Sequence, residues 1–150
     1  MKIQIISVGR PRKDIYNATL DFIKRTERFC RIEHIWVKGS KLDGSIKKEQ
    51  EAEQIKKIIN PEEFSIIMTR EGKPTSSVEL SDLIKRTYDD SKNMNFIIGG
   101  AEGFSEDFKK MSNYKISMSK LTIQHDIALL LASEQIYRAF TIIKGLPYHR

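Results

Sequence analysis

In Asn95-Phe96-Ile97-Ile98-Gly99-Gly100-Ala101-Glu102-Gly103-Phe104 the apolar residues Phe96–Ile98 stop on a pair of glycines. The stretch reads as a strand entering a glycine loop, with a short helix following over Ser105–Met111. The same alternation extends in both directions. Lys2–Val8 alternates, turns apolar and stops before Gly9 and Pro11, a strand followed by a loop. Asp14–Arg28 places Ile15, Ala18, Leu20, Phe22 and Ile23 at helical spacing. Arg31–Lys38 is a second strand ended by Gly39, and a charged helix capped by Ser45 runs to about Ile59, where Asn60-Pro61 breaks it. Phe64–Met68 is a third strand, and Glu71-Gly72-Lys73-Pro74 reads as a turn. Ser76 with Glu79 forms a capping box that opens a helix to about Tyr88. Tyr114–Met118 is a fifth strand, and Gln124–Lys144 a long helix closed by Gly145 and Pro147. Strands alternating with helices throughout predict one α/β domain over residues 1–150, a mostly parallel sheet with helices on both faces.

The composition agrees. Apolar residues make up 39% of the 150 and charged residues 31%, which excludes disorder, collagen-like repeats and a coiled-coil rod. The longest unbroken apolar run, Ile127–Ala132, is six residues, far short of the roughly 20 that span a bilayer. Met1–Val8 is too short and too polar for a signal peptide, so the chain reads as cytoplasmic, without membrane association. The single Cys30 reads as a small packing residue. The net charge of +6 is uneven: residues 1–42 hold ten basic and four acidic side chains, and the rest of the chain sums to zero. Arg10, Arg12 and Lys13 cluster after the first strand. A one-sided basic surface suits a polyanion held through its phosphates, although solvated helix faces give the same composition.

The last helix is apolar around most of its circumference, through Ile127, Ala128, Leu129, Leu130, Leu131, Ala132, Ile136, Ala139, Phe140, Ile142 and Ile143. Such a helix is buried on several sides. In a domain of this size, one side is expected to meet the sheet and another a second copy, giving an isologous homodimer.

Glycines after a strand let backbone N–H groups approach a ligand closely, but they also serve ordinary turns. A dinucleotide fold places them after the first strand, where this chain has Gly9 alone, so a nucleotide-binding oxidoreductase is disfavoured. Ser117-Met118-Ser119-Lys120-Leu121-Thr122-Ile123 is a second loop, leading from the fifth strand into the long helix. Two loops at the carboxyl ends of neighbouring strands form the usual ligand crevice of open α/β sheets. Met118, Leu121 and Ile123 are candidates for its apolar wall and Ser119 and Thr122 for its hydrogen bonds, unless these side chains simply fill the core. Glu134 and Arg138 can pair one turn apart, as structure or as part of a site. His125 is a packing residue, a ligand or a base, and His34 reads as plain surface or core. The terminal Leu146-Pro147-Tyr148-His149-Arg150 combines a stiff approach with side chains suited to stacking and phosphate contact. No His, Cys or carboxylate cluster has metal-ligand spacing, so no metal is expected.

Taken together, Phe96–Gly103, Ser117–Thr122, His125, Glu134–Phe140 and Tyr148–Arg150 resemble the ribosomal RNA large-subunit methyltransferase H family of the SPOUT superfamily. The similarity begins at Met1-Lys2-Ile3, includes Glu71-Gly72-Lys73, and spans the whole chain. The resemblance implies a homodimer whose carboxyl-terminal part forms a deep trefoil knot. It implies methyl transfer from S-adenosyl-L-methionine to N3 of a pseudouridine in 23S rRNA, within the assembled ribosome. Cofactor contacts are then expected at Met68, Gly99, Met118, Ser119, Lys120, Leu121, Thr122 and Ile123. Two positions depart from the family pattern: Ile123-Gln124 stands where members often have an aromatic or leucine and then proline, and Leu129 where many carry arginine. In this reading His149 removes the N3 proton, Arg138 stabilises the ring anion or a phosphate, and Tyr148 stacks on the base. Arg10, Arg12, Lys13, His125 and Arg150 are the expected RNA contacts. A non-catalytic RNA- or ribosome-binding module that kept the fold is the alternative.

Overall fold

Ile3, Ile5, Ile6 and Val8 put apolar side chains on both faces of the first strand, which suits it to the middle of a sheet covered twice. It lies there. The computed structural model describes residues 1–150. Its five strands are β1 (Lys2–Val8), β2 (Arg31–Val37), β3 (Phe64–Pro74), β4 (Met94–Ile98) and β5 (Tyr114–Ser117). They form one sheet in the order β2-β1-β4-β3-β5, with every neighbouring pair parallel. The helices are α1 (Lys13–Thr26), α2 (Gly44–Lys56), α3 (Ser77–Asp89), α4 (Glu106–Lys110) and α5 (His125–Ile143). On one face Ile5, Phe96 and Ile66 pack with Ile23 of α1, Ile84 of α3 and Ile136 and Phe140 of α5. On the other, Ile6, Ile97 and Ile67 pack with Ile55 of α2 and Phe108 of α4.

Three expectations need correction. Ser45 does not cap the second helix, which begins at Gly44 behind Asp43 and has no side-chain cap. The second helix stops at Lys56 rather than near Ile59, because the amides of Ile58 and Ile59 both turn back to the carbonyl of Ile55. More important, the turn read at Glu71–Pro74 belongs to β3. Met68 and Lys73 both pair with Ile116 of β5, so residues 69–72 bulge out of the ladder. Gly72 is what permits the close return: a Cβ there would lie 2.4 Å from the Ile116 carbonyl carbon. Bulges re-aim side chains, and this one turns Thr69, Arg70 and Glu71 towards the carboxyl end of the sheet.

Helix α5 buries Leu129, Ala132, Ile136, Ala139 and Phe140 against the sheet and its neighbours. Its opposite side is less covered, with Ile127 42% exposed and Leu130 and Leu131 half-buried. Cys30 is buried, and burial pushes its thiol up to about 11. No helix is long and apolar enough to cross a membrane.

Candidate functional site

The strands β4, β3 and β5 end side by side, and three backbone segments close over them. The first is the glycine loop after Ile98. Gly103 adopts a φ of +66° and its amide donates to the carbonyl of Gly100 at 3.0 Å. A Cβ on Gly99 would come within 3.1 Å of the Phe104 ring and 3.2 Å of Gly103 Cα, so glycine is what lets the loop fold tightly. The second segment is the β5–α5 loop, which braces itself: Ser117 Oγ donates to the Ser119 carbonyl and the Leu121 amide to Ser119 Oγ, both at 2.9 Å. The third is the bulge of β3. Between them lies a cavity of about 400 Å³.

Its rim is charged. The Arg70 guanidinium donates through Nη1 to Thr122 Oγ1 at 2.8 Å, tying the bulge to the β5–α5 loop. Glu71 accepts from the Thr69 hydroxyl and from Lys109 Nζ, and these bonds hold its carboxyl down at about 2. Lys109 also reaches Glu106 at 2.9 Å. Arg70 has no carboxylate partner.

Of the residues singled out as cofactor contacts, Met68, Gly99, Met118, Ser119, Leu121, Thr122 and Ile123 all line this one cavity. Lys120 is exposed and outside the lining. His125 is at the wall too, its Nε2 3.0 Å from Oδ1 of Asp126. That oxygen is buried and has no partner in hydrogen-bonding geometry, while the other accepts the Arg12 amide at 3.2 Å. The loop carrying Arg10, Arg12 and Lys13 is thereby pinned to the start of α5, beside the cavity. Arg12 pairs with Asp14 at 2.8 Å, whereas Arg10 and Lys13 are exposed without an ion-pair partner.

The remaining candidates assemble elsewhere. Glu134 Oε1 accepts from Arg138 Nη2 at 2.6 Å, from Arg138 Nε at 3.0 Å and from the Tyr148 hydroxyl at 3.1 Å. The guanidinium lies 4.7 Å over the Tyr148 ring, and its Nη1 is 3.5 Å from His149 Nδ1. Partial burial, and then the negative charge of Glu134, raise the Tyr148 hydroxyl above its ordinary pKa. The chain's end is therefore folded back on α5, and only Arg150 is left without a partner. Arg138 lies ten positions along the helix from the cavity residue Ala128, roughly 15 Å along the axis. Within one chain, the tail cluster and the cavity are separate.

Thr69, Arg70, Lys109 and Asp126 belong to these sites without having been singled out in the sequence. The first two sit in the bulge of β3, next to Glu71–Pro74. Lys109 and Asp126 carry no motif, and only the fold brings Lys109 to the rim and buries Asp126 behind His125. Leu129, one of the two departures, is 1% exposed and packs in the core. No group of three or more His, Cys, Asp and Glu side chains is placed to hold a metal ion.

A family model described as "Predicted SPOUT methyltransferase" matches residues 1–149. A Bacteroides thetaiotaomicron protein named "Ribosomal RNA large subunit methyltransferase H" is 39% identical over 155 residues, covering 99% of each chain. A Clostridium botulinum protein of the same name is 36% identical over 159 residues, covering all of both. Among solved structures, a probable methyltransferase from Bordetella pertussis Tohama I superposes with a TM-score of 0.64 at 13% identity, over 91% of this chain and 95% of its own. A probable methylase family protein from Haemophilus influenzae Rd KW20 gives 0.59 at 12% identity, over 99% of this chain and 70% of its own. At those identities the structural likeness speaks for the fold.

Proposed function

The chain belongs to the SPOUT methyltransferase family, and we propose that it methylates N3 of a pseudouridine in 23S rRNA of the assembled ribosome, with S-adenosylmethionine as donor. The observation that carries this reading is the convergence of the glycine loop, the bulge of β3 and the β5–α5 loop on one cavity. Its volume falls in the range of roughly 300–1,000 Å³ usual for small-molecule sites. Met68, Met118, Leu121 and Ile123 offer apolar walls for a nucleoside, and Ser119 and Thr122 offer hydroxyls for its polar edge. Bound there, S-adenosylmethionine supplies a methyl group on a positively charged sulfur.

The rest falls to the chain's own side chains. The uracil-type ring must lose its N3 proton before the nitrogen lone pair can attack. His149 takes that proton, and Arg138, oriented by Glu134, faces the charge that develops on the ring. Tyr148 supplies a ring face for the base. Positioning is a large part of such catalysis, and the bonds around Glu134 fix these groups before substrate arrives.

The distance between tail and cavity along α5 supports a homodimer in which the tail of one protomer completes the site of the other. The half-exposed Ile127, Leu130 and Leu131, followed by Glu134 and Arg138, form the contact surface in this reading. The deep trefoil knot belongs to the same reading, supported by the placement of β5 beside β3 rather than β4. Arg10, Arg12, Lys13, His125 and Arg150 contact rRNA, and the protein works in the cytoplasm where ribosomes are modified.

The test is transfer of labelled methyl groups to ribosomes from a strain lacking this modification. The chain labels them, and deletion of Tyr148–Arg150 abolishes labelling while donor affinity remains. Unchanged labelling by the truncated chain contradicts the role of the tail. Ribosome binding without any labelling by the intact chain contradicts the enzyme.

A further inference from the structure

Beyond the cavity, the same end of the sheet carries an aromatic surface that the proposed reaction does not use. Ser7 pairs with both Trp36 and Ile98, and Ile98 pairs with Met68, so these four residues form one row across the sheet. Residues in register on parallel strands point to the same face, and two strand spacings put Trp36 roughly 10 Å from Ile98 at the cavity wall. Trp36 is 43% exposed on the edge strand β2. It is nonetheless well supported. The Tyr16 ring meets it edge-on at 6.0 Å, and the His34 ring, two residues earlier on β2, also lies 6.0 Å away. His34 Nε2 is bonded to Ser7 Oγ at 2.8 Å, and its Nδ1 is 3.4 Å from the Tyr16 hydroxyl. A large indole is thus held rigidly on a polar and aromatic support while a good part of it faces solvent.

Its surroundings are cationic. Lys13 lies one turn before Tyr16 on α1, Lys38 two residues beyond Trp36, and Arg10 and Arg12 follow the adjacent strand β1. Of these only Arg12 has an acidic partner, Asp14.

We propose that Trp36 is a stacking platform for an unpaired base of the substrate RNA, at a nucleotide away from the one methylated, with Arg10, Lys13 and Lys38 holding the neighbouring phosphates. This rests on the rRNA methyltransferase function proposed for the chain and extends it to a second point of attachment. Rigid aromatics beside cations are how single-stranded RNA is held without base-specific hydrogen bonds. A second copy of the chain is a poorer occupant, because a two-fold contact here sets these cations against their own counterparts.

Trp36 is the chain's single tryptophan, so intrinsic fluorescence reports on this site alone. A short single-stranded oligoribonucleotide is expected to quench it, salt to reverse the quenching, and the same sequence as a duplex to quench far less. Trp36→Ala is expected to weaken binding to unmodified ribosomes roughly 5- to 100-fold, as removal of one base–aromatic stack does, with Trp36→Phe recovering most of it. Calorimetric affinity for S-adenosylmethionine stays unchanged in both variants, which shows that they are folded. RNA bound without any change in Trp36 emission overturns the platform, as does a Trp36→Ala chain that binds ribosomes like the wild type. Quenching that follows protein concentration without RNA overturns it in favour of a second copy. Failure of the wild-type chain to bind either donor or ribosomes overturns instead the rRNA methyltransferase reading.

Discussion

Arg70 and Thr122 are 52 positions apart in the chain, yet the guanidinium Nη1 of one donates to the hydroxyl of the other at 2.8 Å on the rim of the cavity. The bond joins the bulge of β3 to the loop that enters α5. Two of the three walls of the site are thereby held in register by one hydrogen bond that no local sequence rule predicts.

Removal of that bond should loosen the donor site without unfolding the chain. Arg70→Ala is expected to weaken S-adenosylmethionine binding by up to about tenfold, since a hydrogen bond to a charged group contributes on the order of 1.5 kcal/mol and this one is exposed. Arg70→Lys should recover little, because an ammonium lacks the reach and planar fork of the guanidinium. Calorimetry decides it: equal affinity in Arg70→Ala and wild type would show that Ser117 and Ser119 brace the loop unaided.

His34 predicts a pH dependence of stability. Burial lowers its pKa from 6.5 to about 4, so the folded chain binds fewer protons than the unfolded chain between those values. Stability from the neutral ring is therefore complete above about pH 6.5 and falls away as the pH drops towards 4, by up to roughly 3 kcal/mol. Denaturant midpoints measured from pH 7.5 to 4.5 should fall more steeply in the wild type than in His34→Gln. Parallel curves for the two chains would contradict this.

Reversing charge at Arg10 and Arg12 should weaken ribosome binding and flatten its salt dependence, by roughly one unit of logarithmic slope for each phosphate no longer neutralised. The cavity does not use either guanidinium, so donor affinity should hold. A fall in donor affinity would mean that the loop pinned to Asp126 had been displaced.

Glu134 receives Arg138 and Tyr148 together, and its side chain is only 17% exposed. Glu134→Ala leaves Arg138 partly buried without its partner, which should cost about 2–3 kcal/mol in thermal stability. The methylation rate should fall at least about tenfold through misplacement of Arg138 and Tyr148, with donor affinity unchanged. A rate equal to wild type would place the cluster outside the reaction.

The fold was largely legible because each element carries its own signal. Ile3 to Val8 and Phe96 to Ile98 announce buried strands, and Ser76 with Glu79 forms the capping box read from sequence. The bulge of β3 was not legible, because Glu71-Gly72-Lys73-Pro74 has the composition of a turn. Gly72 is needed for close approach to Ile116, which happens only when β5 docks. The two loops lining the cavity were visible as loops, and seven of the eight residues named for the cofactor surround it. Arg70 and Lys109 escaped notice because their positions depend on that bulge and on α4. Alternation along β2 puts His34 and Trp36 on one face, but only the packing of α1 brings Tyr16 to them and only the pairing of β1 with β2 brings Ser7.

The central claim is that the three converging segments form a site for a sulfonium nucleoside. Isothermal titration of the purified chain with S-adenosylmethionine, and separately with S-adenosylhomocysteine, tests it most directly. Saturable binding of both ligands, abolished when Gly99→Trp fills the loop against Phe104, is the predicted result. No binding of either ligand by the folded wild-type chain would contradict it.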